Sequence, residues 1–271
     1  MPTNNQDFKF ELDPRTFNLA TGTTTVYQGD LTKYFLSGIG VTTMLYPCDI
    51  VNFIGVGNTG YPINPNIDVM SGVNRPVRQG VKFSGVFEFL TTAGDSLYPY
   101  DAVIMGATAQ TVTNTNNKPA APALTAPGSG TGPVSGNYYG YTTYFGDGWE
   151  TERSLVSAVL AHDGNAITFT VAAVPAALLS GDDICKGYRC YLTKVGAAIP
   201  YLIGTIESGT TTLTTASATP WATGLIIPPR HNGLAVGYVI QDTGLSYPIT
   251  GASGTKILVG INRNLRRFGV I

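Results

Sequence analysis

An all-β fold follows from three features of the chain. Short runs rich in Val, Ile, Thr, Tyr and Phe recur between clusters of Gly, Pro, Asn and Asp, the pattern of strands punctuated by turns. Helical periodicity is nearly absent. Hydrophobic residues make up 43 % of the chain, enough to build a core, whereas charged residues make up only 12 %, against about 25 % in an ordinary soluble domain. With Lys+Arg 16, Asp+Glu 17 and a net charge of −1, the chain lacks the cationic surface that neutralises phosphates, which argues against a nucleic-acid partner. No stretch approaches the roughly 20 apolar residues of a membrane span, so no membrane partner is expected. A length of 271 residues fits two domains better than one.

In chain order, the N-terminus MPTNNQDFKFELDPRTF lacks the basic and apolar regions of a secretory signal. Within it FKFELD alternates, placing Phe8, Phe10 and Leu12 on one face. Strand-like runs follow at CDIVNFIGVG (48–57), VKFSGVFEFL (81–90) and AVIMGATAQTVT (102–113). GVGNTG (55–60) matches a dinucleotide fingerprint, but Pro62 and Pro65 forbid the helix that must follow it, and no acidic residue stands some 20 positions on. A glycine-rich loop between strands is the better reading. Residues 116–136, NNKPAAPALTAPGSGTGPVSG, are rich in Pro, Gly, Ser and Ala and read as an extended linker feeding a strand. GSGTG (128–132) lacks the Lys-Ser/Thr of a phosphate loop.

Residues 137–154, NYYGYTTYFGDGWETERS, read as a hairpin turning at Asp147-Gly148. Period-two alternation places Trp149, Thr151 and Arg153 on one face and Glu150 and Glu152 on a solvated one. The two glutamates alone are too sparse for a calcium site or an acid/base pair. AITFTVAAV (166–174) is a further strand, and VPAALLSGDD (174–183) is the one helix candidate, with Pro175 in its first turn and Gly181 at its end. Cys48, Cys185 and Cys190 are too few for a disulfide scaffold and read as small buried side chains. YLIGTI (201–206), LAVGYVI (234–240) and KILVGI (256–261) complete the strands, and ASATPWATGLIIPP (216–229) marks a second boundary. His162 and His231 lie in turns, no G-x-S-x-G elbow accompanies them, and the chain is expected not to be an enzyme. No metal site, cofactor or catalytic residue is expected. Arg263, Arg266 and Arg267 form a basic C-terminal cluster that is either a solvated tail or a docking element.

Two resemblances can be drawn from these residues. The segment GNYYGYTTYFGDGWETERS…YRCYLTKVGAAIPYLIGTI…TTTLTTA resembles the immunoglobulin/fibronectin-like modules of tailed-bacteriophage structural proteins, with Leu192 where those modules usually carry a second arginine. It implies a β-sandwich over 118–219, with Tyr139, Tyr141, Trp149 and Tyr191 in its core. The flanks, through TTTVYQGDLTKYF, YPCDIVNFIG, VRQGVKFSGVFEF and AGDSLYPYDAVIMGATAQTVT, resemble the head-decoration (cement) proteins of such phages, small β-barrel or β-tulip-like domains. That resemblance implies a discontinuous barrel domain, 1–117 plus 220–271, carrying the sandwich as an insertion. It further implies a homotrimer on the outer surface of the virion capsid, made in the host cytoplasm, with the major capsid protein as partner. Phe8, Phe10, Leu12, Arg263, Arg266 and Arg267 would touch the shell. The alternatives are a tail, baseplate or fibre component, or a module binding a host-surface glycan.

Overall fold

The computed structural model describes residues 15–18, 26–34, 41–58, 78–221, 224–242, 244–250 and 255–262. The chain is all-β. In order, the strands are β1 (Arg15–Asn18), β2 (Leu31–Tyr34), β3 (Val41–Thr43), β4 (Phe53–Asn58), β5 (Arg78–Lys82), β6 (Ser84–Thr91), β7 (Ser96–Leu97), β8 (Ala102–Met105) and β9 (Thr111–Thr113). Next come β10 (Ala123–Thr125), β11 (Gly136–Tyr138), β12 (Gly140–Gly146), β13 (Trp149–Glu150), β14 (Leu160–His162), β15 (Ile167–Thr170), β16 (Gly187–Thr193), β17 (Pro200–Glu207) and β18 (Thr212–Thr215). The last are β19 (Gly237–Val239), β20 (Ile249–Thr250) and β21 (Lys256–Asn262). Among the described residues no helix is long and apolar enough to cross a membrane.

Two compact units result: 1–115 with 235–271, and 116–234. The sequence places the second crossing at 219/220, and the structure places it at 234/235. The difference lies in 216–229, which reads as a boundary because of its prolines. Instead its described residues lie along the second unit: Trp221 Nε1 donates to the Leu192 carbonyl and Leu202 N–H to the Ile226 carbonyl.

In the first unit a five-stranded antiparallel sheet runs β1-β5-β4-β2-β3, and β19-β21-β6-β9-β8 close into a small barrel. Barrel closure rests on period-two burial. Ile257 and Val259 stand opposite Phe89 and Phe87, and all four side chains are buried, while the residues between them are not. In the open sheet, Gly55 sits so close to β5 that a Cβ would lie 2.1 Å from the Lys82 carbonyl oxygen. Its glycine is a requirement of strand approach. Residues 55–58 of GVGNTG are therefore strand rather than loop, and 59–60 lie outside the described residues. Lys33 and Asp49 form a buried ion pair at 2.9 Å, and the other Asp49 oxygen accepts the N–H groups of Leu45 and Tyr46. Those bonds offset a desolvation cost of several kcal/mol per ion.

The second unit is a sandwich. One sheet is β13-β12-β16-β17, the other β10-β15-β18, and β11 pairs with β14. The sheets meet where Gly140 leaves room for Leu124 and Phe169, and where Gly204 faces Leu213. The stretch 116–136 is no bare linker: it supplies β10, which pairs with β15, and the start of β11. The helix candidate reduces to a 3-10 turn at Ala176–Leu178, because Pro175 is extended (ψ 137) and stays outside it.

Candidate functional site

The hairpin turns on two residues, Asp147 and Gly148, between Gly146 and Trp149. Only Gly148 takes a positive φ, +75°, so glycine is demanded at one position of the turn and not at both. Gly146 leaves space that the Trp149 indole fills, and Trp149 Nε1 donates to the Asp183 carbonyl at 3.1 Å. Trp149 is core; Tyr191 is buried as well, but it stands opposite Tyr141 and so lies on the other face of the sheet, beneath Glu150.

Tyr139 is not core: 40 % of it is exposed. Gly140, Thr142 and Tyr144 share the face that meets the other sheet, where Gly140 lies against Leu124 and Phe169. Tyr139 and Tyr141 therefore fall in the opposite phase. Tyr138, one residue away, is fully buried, with its ring edge-on to His162 at 5.4 Å. Tyr141 is half-buried, and its ring is covered by the Arg153 guanidinium 4.7 Å from the centroid.

Glu150 does not decorate a solvated face. Its side chain is 14 % exposed and forms an ion pair with Arg189 at 2.5 Å. It also accepts hydrogen bonds from the Tyr191 hydroxyl and from Thr143 Oγ1, at 2.5 and 2.6 Å. Burial first, then the bond to Glu150, raises the Tyr191 hydroxyl well above its ordinary value, which keeps it a donor. The Glu150 backbone carbonyl receives Gly233 N–H at 2.7 Å. Close in sequence to Gly233, Asn232 Nδ2 donates to the Asn117 carbonyl at 2.6 Å, so the chain enters and leaves this unit side by side.

After Glu150 the period-two reading fails. Thr151, Ser154 and Ser157 each send their N–H to a β12 carbonyl, of Tyr144, Thr142 and Gly140 respectively. Their hydroxyls accept the N–H groups of those same residues at 2.9–3.0 Å. Three residues here keep pace with two of β12. Two strand residues advance roughly 6.8 Å, while three residues of polyproline helix would advance about 9.3 Å, so the segment is coiled like a row of bulges. Arg153 is consequently exposed rather than facing inward with Trp149, and Leu155 is 71 % exposed. Beside this segment runs a groove of about 790 Å³, lined in part by Tyr141, Arg153, Leu155, Ile199, Ile227 and Arg230.

The remaining candidates divide clearly. Phe8, Phe10, Leu12, Arg263, Arg266 and Arg267 lie outside the described residues. His162 is buried with Nε2 3.2 Å from the Pro133 carbonyl, a packed core histidine, and His231 is exposed. All three cysteines are free and buried. Burial pushes the thiols of Cys185 and Cys190 up to about 11 and about 12, so neither is a ready nucleophile. Among the described residues no three His, Cys, Asp or Glu side chains gather to hold a metal. The residues that sequence reasoning missed are Arg189, Thr143 and the buried hydroxyls of Ser154 and Ser157. The T-x-x-S-x-x-S spacing stands in the sequence for the two serines, but it takes on meaning only beside the β12 groups they satisfy.

No protein-family model matches the chain, and no curated protein matches it.

Proposed function

We propose that this chain is a structural virion protein that decorates and stabilises the mature capsid of a tailed phage. In this reading it sits on the outer surface as a homotrimer bound to the major capsid protein, with the sandwich unit projecting outward. One observation carries the reading: a discontinuous unit containing a closed small barrel holds a second all-β unit as an insertion, entered and left at adjacent points. Such an arrangement lets one body grip a surface while the other is displayed without disturbing the grip. The low charge, 12 % of residues, suits broad hydrogen-bonded interfaces whose strength depends little on salt. Trimer contacts to several shell subunits act together, since each later contact forms at high effective concentration.

The reading as a glycan-binding module has less support. Trp149 is buried and the Tyr141 ring is capped by Arg153, so neither offers a free aromatic face to a sugar. A role in the tail or baseplate is separated by localisation. Fab fragments raised against residues 116–234 are added to virions and imaged by electron microscopy. Labelling spread over the head supports decoration; labelling confined to the tail contradicts it.

A further inference from the structure

The turn joining β7 to β8 reads Tyr98-Pro99-Tyr100-Asp101. Pro99 presets the first central position, and Asp101 N–H closes the turn on the Tyr98 carbonyl at 3.2 Å. The second central position then takes a positive φ, which this kind of turn normally gives to glycine or asparagine. Here it holds Tyr100, at φ +70°. For a bulky residue that conformation is a real outlier.

The surroundings impose it. The Asp101 carboxylate accepts Tyr98 N–H at 2.8 Å, and Tyr100 N–H donates to the Val239 carbonyl on β19 at 2.8 Å. The side chain is left mostly in solvent. Tyr100 is 71 % exposed and Tyr98 is 52 % exposed. Among the described residues, neither ring nor hydroxyl has a hydrogen bond, ion pair or ring contact. A strained residue whose side chain stays mostly in solvent points to a use outside the chain.

We infer that the Tyr98/Tyr100 turn is an anchor by which the barrel unit binds a pocket on a protein partner, the shell subunit; the inference rests on the decoration reading. Its shape argues for a protein. Two rings at the tip of a turn are a protrusion, whereas a small ligand or sugar needs a concavity to surround it. Tyrosines at loop tips act as contact anchors because a large ring with only two side-chain torsions loses little entropy when it docks. The one acid in the turn, Asp101, is engaged in holding it. The pocket that receives the tip is therefore apolar with a hydrogen-bond partner for a hydroxyl, and its grip is insensitive to salt.

The test is Tyr100→Gly in the full chain, measured beside the parent for thermal melting, mass by light scattering, and affinity for purified expanded capsids. Glycine relieves the strained position, so the first unit melts about 2–4 °C higher. The mass is unchanged, and capsid affinity falls at least about tenfold. A parent that binds with an equally tight variant overturns this inference alone. A lower melting temperature makes the ring structural, and an altered mass makes the turn a self-interface; either overturns it. A parent that binds no shell defeats the decoration reading, and this inference with it.

Discussion

At the scale of single residues, Trp149 and Asp30 carry measurable consequences. Trp149 fills the space above Gly146 and is 6 % exposed, so Trp149→Ala opens a cavity and costs about 3–5 kcal/mol in denaturant unfolding. A free aromatic platform would lose ligand binding with little change in stability, so the two roles separate in one measurement. Asp30 is buried, and desolvation raises its carboxyl above the ordinary 3.8, while the Tyr27 N–H and the Gln110 side chain pull it partly back. The fold thus favours the protonated acid. Its contribution is full below about pH 3.8 and is lost as pH rises through the raised value. Asparagine does not titrate, so the stability of Asp30→Asn relative to the parent shifts in the variant's favour as pH rises across that window. A pH series of urea melts showing a flat or opposite difference contradicts this. Residue identity in the sequence located Trp149 in the sandwich core but mistook Tyr139 for Tyr138 and placed Tyr141 and Tyr191, which pair on the sheet's other face, inside it. Aromatic spacing gives the period and not the phase, and the phase here is set by which side of Gly140 the partner sheet occupies.

At the scale of elements, the run from Thr151 to Ser157 is the most informative. Each of its three hydroxyls accepts a β12 N–H and donates to the next carbonyl of its own segment, at 2.8–3.0 Å. The coiled path leaves no regular strand edge for another chain to extend, a protection against sheet-to-sheet aggregation. Ser154→Ala strands the buried Thr142 N–H and costs about 1–3 kcal/mol. Leu155→Ser, next to it but exposed, changes stability by less than about 0.5 kcal/mol. Reversed magnitudes in chemical denaturation would show that Leu155 packs and Ser154 does not. The hairpin turn was legible because Asp147-Gly148 acts locally. The three-residue repeat was not, because its spacing has meaning only beside the β12 groups it satisfies. Glu150 was misread for the same reason: Arg189, 39 positions away, becomes its neighbour only through the pairing of β12 with β16.

At the scale of the molecule, the all-β class was legible throughout, since it rests on composition and on many independent turns. The place where the chain returns to the first unit was not. Prolines at 220, 228 and 229 mimic a linker, yet the chain here is held by Trp221, Ile226 and Gly233, and none of these bonds is visible without the partners on β16, β17 and β13. Asn117 and Asn232 meet at 2.6 Å, so replacing 116–234 by a short Gly-Ser joint leaves a first unit that still folds. The excised 116–234 folds as well, each with its own cooperative melt; loss of either melt would show the units to be interdependent. The most direct test of the decoration reading is co-sedimentation of the purified chain with mature, expanded capsids and with unexpanded proheads. Saturable binding to the expanded shell alone, in multiples of three copies, is the predicted result. Binding to neither shell would contradict it.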